Sequence, residues 1–152
     1  MTLLKCTSIW VGLLAALTLA QTSKADAGII LITAEEAKLP GPTQMTANRA
    51  ITRGPRIDVS HFDNGQVHSP LRFKLTFRAF GGATIDVDSL AVTYLRASNI
   101  DLTERVRPFV QRTGIDIPEA EVPPGQHAIR VELRDSDGRP AAVNLMLSVA
   151  PN

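Results

Sequence analysis

Between Leu71 and Arg78 the chain alternates without a fault. Leu71, Phe73, Leu75 and Phe77 fall on one side, with Arg72, Lys74, Thr76 and Arg78 on the other. Successive side chains of a strand point to opposite faces, so this period of two commits the segment to a sheet with one buried and one wet face. The pattern returns further along. His127, Ile129, Val131 and Leu133 alternate with Ala128, Arg130, Glu132 and Arg134, and Val143, Leu145, Leu147 and Val149 repeat it. Leu90, Val92 and Tyr94 alternate as well, Ile57 and Val59 do so briefly, and short runs at Ile85–Val87 and 114–117 read as strands. Turn residues separate these runs: Asp63-Asn64-Gly65, Gly81-Gly82, Pro123-Pro124-Gly125 and Asp135-Ser136-Asp137-Gly138. Short strands divided by such turns predict an all-β fold, a two-layer antiparallel sandwich of about seven strands.

Two places depart from the strand rhythm. Thr33 and Glu36 have the spacing of a capping box, which predicts one helical turn before Pro40. In Asp101–Phe109, Leu102, Val106 and Phe109 share a helical face while Pro108 interrupts it, which predicts a short helix across a crossover. Pro40-Gly41-Pro42 and Gly54-Pro55 bracket a stretch with neither period. Residues 28–56 are therefore expected to form an extended arm, in which Ile29–Ile32 adds a strand, leading to a domain over 57–152.

The first 27 residues read as an export signal. Lys5 precedes an uncharged run of 12 residues, Ile9–Ala20, and Ala25-Asp26-Ala27 supplies the small-x-small pattern for cleavage before Gly28. Such a run is too short to span a bilayer, which takes about 20 residues. Cleavage leaves 125 of the 152 residues, removes the single cysteine, Cys6, and predicts a periplasmic or released protein without a membrane span. Loss of Lys5, Lys24 and Asp26 leaves 14 basic and 14 acidic residues, so no global basic field points to nucleic acid or an anionic membrane. Trp10 also goes, leaving one tyrosine, Tyr94, and too few rings for a glycan site built on aromatic platforms.

From Val122 to Val149 the sequence resembles the closing hairpin of bacterial immunoglobulin-like domains. Val122, Gly125, His127, Asp135, Gly138 and Arg139 carry the resemblance. They supply an aliphatic residue, a Pro/Gly turn, an aromatic entering an alternating strand, and an Asp-x-x-Gly turn before a final apolar strand. His127 stands where the family more often has tyrosine, and Arg139 where asparagine is usual. The resemblance implies an Ig-like sandwich with His127, Asp135 and Gly138 as structural corner residues. It implies no specific activity, because this sandwich hosts adhesive, accessory and spacer modules alike.

Candidate ligands are sparse. His127 shares a face with Ile129 and Val131, so a buried, hydrogen-bonded ring outweighs a metal ligand or pH sensor. Asp135–Gly138 is too short for an EF-type calcium loop, and Asp135 suits accepting backbone N–H groups in a hairpin turn. Asp86 and Asp88 have no spacing that joins them to Asp135. His61, Asp63 and His68 are read as a solvated turn rather than a copper or zinc site. No metal and no cofactor is expected. Catalysis lacks a Cys nucleophile, a Gly-x-Ser-x-Gly elbow, a phosphate loop and an HExxH motif. Arg72, Lys74 and Arg78 line the polar side of one strand, and Arg130 and Arg134 that of another; sharing a sheet, they would form one basic strip. The sequence thus predicts a non-catalytic accessory or protein-interaction module, its partner another exported protein. The alternative is a periplasmic carrier of a metal ion or an acidic glycan.

Overall fold

The computed structural model describes residues 28–42, 53–62 and 65–151. The expected export signal with Cys6, and Asp63-Asn64 of the first turn, lie outside the described residues. Among the described residues nine strands form two sheets that face each other across the core.

The first sheet holds β1 (Ile29–Ile30), β2 (Arg56–Asp58), β3 (Leu71–Arg78), β6 (Val110–Gln111) and β7 (Gly114–Glu121). β3 lies between β2 and β7, while β1 and β6 both pair with β7. The second sheet runs β5 (Ile100–Asp101), β4 (Ile85–Tyr94), β8 (Gly125–Asp135), β9 (Pro140–Val149). The protein is an all-β sandwich. The alternation of β3 does what its period requires: Leu71, Phe73, Leu75 and Phe77 are buried, while Arg72, Lys74 and Arg78 are exposed. Ile115 and Ile117 of β7 meet them in the same sheet, and Val92, Tyr94, Ile129, Val131, Leu145 and Leu147 close the core from the other.

Several features refine the expected layout. The sheets are not wholly antiparallel, because β1 runs parallel to β7 with Ile29 beside Ala120. Both expected helical pieces are present, α1 (Ala34–Lys38) and α2 (Thr103–Val106), the second continued by a 3-10 turn at Arg107–Phe109 that takes up Pro108. Ile85–Val87 and Leu90–Tyr94 are one strand with a bulge. The register against β8 shifts between Asp86 and Ala91, moving the buried positions from odd to even numbers. Ser89 holds the bulge: its hydroxyl donates to the Asp86 carbonyl and accepts the Arg134 N–H.

The start of the expected arm is built into the sandwich. Leu31 and Ile32 are fully buried, and their N–H groups both donate to the Glu121 carbonyl. The capping box at Thr33 and Glu36 forms as its spacing implies, each side chain receiving the other's backbone N–H. The Glu36 carboxylate then takes two hydrogen bonds from Arg105 on α2, at 2.8 and 2.7 Å, and Arg105 also donates to the Leu31 carbonyl. Further along, the Ala97 N–H donates to the Pro40 carbonyl.

Gly114 marks the tightest backbone approach. Its φ is +152°, and a Cβ built there would lie 2.0 Å from the Leu75 carbonyl oxygen. Only glycine lets the β6–β7 turn lie this close to β3.

Candidate functional site

Tyr94 on β4 stands directly opposite Ile129 on β8, which makes His127, two residues back along β8, its diagonal neighbour near one end of the second sheet; both rings are almost wholly buried. His127 Nε2 lies 2.8 Å from the Pro123 carbonyl oxygen, which can only accept, so Nε2 carries the proton. Nδ1 is then the acceptor, and the Tyr94 hydroxyl donates to it at 2.8 Å. Arg96 Nε donates to the same hydroxyl oxygen at 2.6 Å, Arg96 Nη2 faces it too, and the guanidinium lies 4.6 Å from the tyrosine ring centre. Burial pushes the His127 imidazole below its ordinary range; the Pro123 hydrogen bond works against this, and the Arg96 charge adds to it. Burial raises the Tyr94 phenol, with Arg96 opposing. The ring is thereby held to the turn at Pro123.

Asp135 closes the β8–β9 hairpin. Its carboxylate accepts the N–H groups of Asp137 and Arg139 at 3.1 and 2.9 Å and pairs with the Arg139 guanidinium at 2.8 Å. Burial acts to raise this carboxyl, but the contacts from Arg139 and Asp137 hold it below the usual range. Gly138 takes φ +76°, as the turn demands. Arg139, at the position where the resemblance expects asparagine, supplies the counter-charge for a carboxylate that is 2% exposed.

Of the metal candidates, Asp63 lies outside the described residues. His61 and His68 are exposed, His61 lying edge-on to Phe62, and Asp86 and Asp88 are exposed while Asp135 faces Arg139. No group of three or more potential ligands converges among the described residues. Nor is any helix among them long and apolar enough to cross a membrane.

The single basic strip does not form. β3 belongs to the first sheet and β8 to the second, so Arg72, Lys74 and Arg78 lie on one outer face and Arg130 and Arg134 on the opposite one. Two of the five are also ion-paired. Arg72 makes a bidentate bridge to Asp116 at 2.8 and 2.6 Å, and Arg130 pairs with Glu132 at 2.7 Å. On the first sheet, however, β2 brings a further cation, Arg56, directly opposite Arg78. Its place on the polar side of Ile57 was a sequence signal for it, though the run was short. Arg96 and Arg105 escaped sequence reading altogether; only Arg96's spacing of two from Tyr94 hinted that they share a face.

Where the edges of β2 and β9 approach, a groove of about 710 Å³ opens. Its lining is mixed: Phe80, Ala141 and Val143 give it apolar surface above the buried Pro55 and Ile57, while Ser89, Glu132, Arg56 and Arg134 supply polar groups. Phe80 is 50% exposed there. No family model, curated protein or solved structure matches the chain.

Proposed function

We propose that this is an exported, non-catalytic accessory module that works by binding another exported protein, with an Ig-like sandwich as its scaffold. The observation that carries the reading is the engagement of both His127 ring nitrogens, by Tyr94 and Pro123. The most buried candidate for metal binding or acid–base chemistry is thereby committed to the fold. Asp135, the other buried ionisable candidate, is held by Arg139. What stays open to solvent is a charged and partly apolar surface, the material of recognition rather than of bond-making. The corner at His127 and the Asp135–Gly138 turn also support kinship with bacterial Ig-like domains. Export rests on the sequence of residues 1–27.

Expression of the full chain in a bacterial host, brief cross-linking and purification from the periplasm test this reading. The expected result is an intact mass for Gly28–Asn152, a specific cross-linked protein and no stoichiometric metal. A metal retained near one equivalent after dialysis would overturn it in favour of the carrier.

A further inference from the structure

We infer that the β2 end of the first sheet, with the groove beside it, is a docking surface for an acidic, extended segment of a partner protein carrying one apolar anchor residue. This rests on the interaction-module reading and names the chemistry of the partner.

Three observations converge on it. First, Arg56 and Arg78 are direct cross-strand partners. Side chains so placed have Cβ atoms about 4.5–5.5 Å apart, where like charges repel unless an anion lies between or over them. Lys74 continues the same face, two pleats along β3. Second, the nearby acids do not cancel these cations. Asp116 is taken by Arg72, and Asp58 accepts the Ser60 N–H at 3.0 Å, so one carboxylate is shared between two arginines. Arg56, Lys74, Arg78 and Arg134 make no ion pair within 4 Å with a described residue. Third, the groove adjoining Arg56 has a mixed polar and apolar lining that includes Ala141, Val143 and an exposed Phe80. Glu132, the acid in its lining, is paired with Arg130.

The apolar part of the groove's mixed lining, above all the exposed Phe80, favours a peptide among macromolecular partners. An acidic polysaccharide would satisfy the cations but has no aliphatic side chain to lay against Phe80, Ala141 and Val143. An extended peptide presents same-side residues about 6.8 Å apart, so two of its side chains four residues apart match the roughly 13–14 Å between Lys74 and Arg78 along the sheet face, and it can turn an apolar residue toward Phe80. Carboxylates over Arg56 and Arg78 would convert the repulsion in the free protein into bridging contacts on binding.

The test uses the mature chain and a fluorescein-labelled peptide of about nine residues, about 30 Å long when extended, with four glutamates around one central phenylalanine. Its glutamine counterpart and an alginate oligomer serve as comparison probes. Saturable binding that weakens between about 0.05 and 0.3 M salt is expected. Arg56→Glu with Arg78→Glu should weaken it by about tenfold or more, and Phe80→Ala by about threefold, while Lys38→Glu on α1 leaves it within about twofold. Thermal melting shows that the variants fold, and Phe80→Ala alone keeps the test alive if the double reversal does not. No saturable binding, or binding indifferent to both changes, overturns the proposal. Alginate bound in preference to the peptide, with the same arginine dependence, also overturns it and assigns the face to a glycan. A partner cross-linked through another face would leave the interaction-module reading standing while this inference falls.

Discussion

The Tyr94 hydroxyl donates to His127 Nδ1 at 2.8 Å, and this contact fixes the imidazole in its neutral, Nε2-protonated form. A second proton on the ring would force the Tyr94 hydroxyl to turn its own proton away and accept from Nδ1, beside a cation, at an oxygen that already accepts from the Arg96 guanidinium. Both ring nitrogens are thus engaged by neighbouring groups, Nδ1 by Tyr94 and Nε2 by the Pro123 carbonyl.

This arrangement has a pH signature. The folded His127 pKa is depressed from the ordinary 6.5, so below that pH the unfolded chain takes up a proton that the folded one refuses. Stability should fall as pH drops through 6.5 and level off only once the folded imidazole titrates. Urea midpoints measured between about pH 8 and 5 check this, with His127→Tyr expected to flatten the slope. His127→Ala should cost about 1–3 kcal/mol at neutral pH, because the buried Tyr94 hydroxyl loses its acceptor.

Glu36 gives a second, separate window. The hydrogen bonds from Arg105, helped by those within the capping box, hold it at about 2 against an ordinary 4.5. The stability it contributes is complete above 4.5 and is lost as pH falls toward 2. Arg105→Ala should remove most of that acid dependence and cost about 1–2 kcal/mol, the pair being partly solvated. Proteolysis near residues 28–40 should rise in the same variant, readable by mass spectrometry.

Leu75 and Lys74 are adjacent and opposite in character, 2% and more than a third exposed respectively. Leu75→Ala should destabilise by about 2–4 kcal/mol through a cavity between the sheets. Lys74→Ala should stay within about 0.5 kcal/mol. Equal denaturation midpoints for the two would refute the register of β3.

Gly114→Ala should be among the most damaging single-methyl additions. The new Cβ would meet the Leu75 carbonyl, part of the sheet backbone and unable to swing away. A loss of at least about 2 kcal/mol is expected, from strain and from β6–β7 pulling off β3. A melting temperature equal to the parent chain's would show that the turn relaxes freely.

The strands were legible wherever alternation ran for several residues. Leu71–Arg78 and His127–Leu133 announce their faces because burial on one side imposes a period of two. Alternation says which way a side chain points but not which sheet its strand joins, and this is why the arginines of β3 and β8 were brought together on paper and parted in space. The β1–β7 pairing was beyond reach because Ile29–Ile30 is too short to carry a period and its partner lies far along the chain. At the corner, His127 was legible as a buried ring from its strand face. Its partner was not, because the bulge at Asp86–Ala91 sets the register that aligns Tyr94. The Arg56–Arg78 opposition was hidden for a related reason: pairing two strands needs a register, and β2 offers only three residues to define one.

The parallel pairing of Ile29 with Ala120 joins positions 91 residues apart. A ribosome or a translocation channel delivers a chain amino end first, so β1, the earliest of the described strands out, waits over the longest stretch of chain for its partner. Until β7 emerges, Ile29–Ile32 is an apolar segment with nowhere to go, and Leu31 and Ile32 must wait in solvent for their places in the core. Any factor that shields the nascent chain therefore has its work concentrated on this amino-terminal segment. Slowing delivery of residues 40–120 lengthens the interval during which the chain is prone to aggregate.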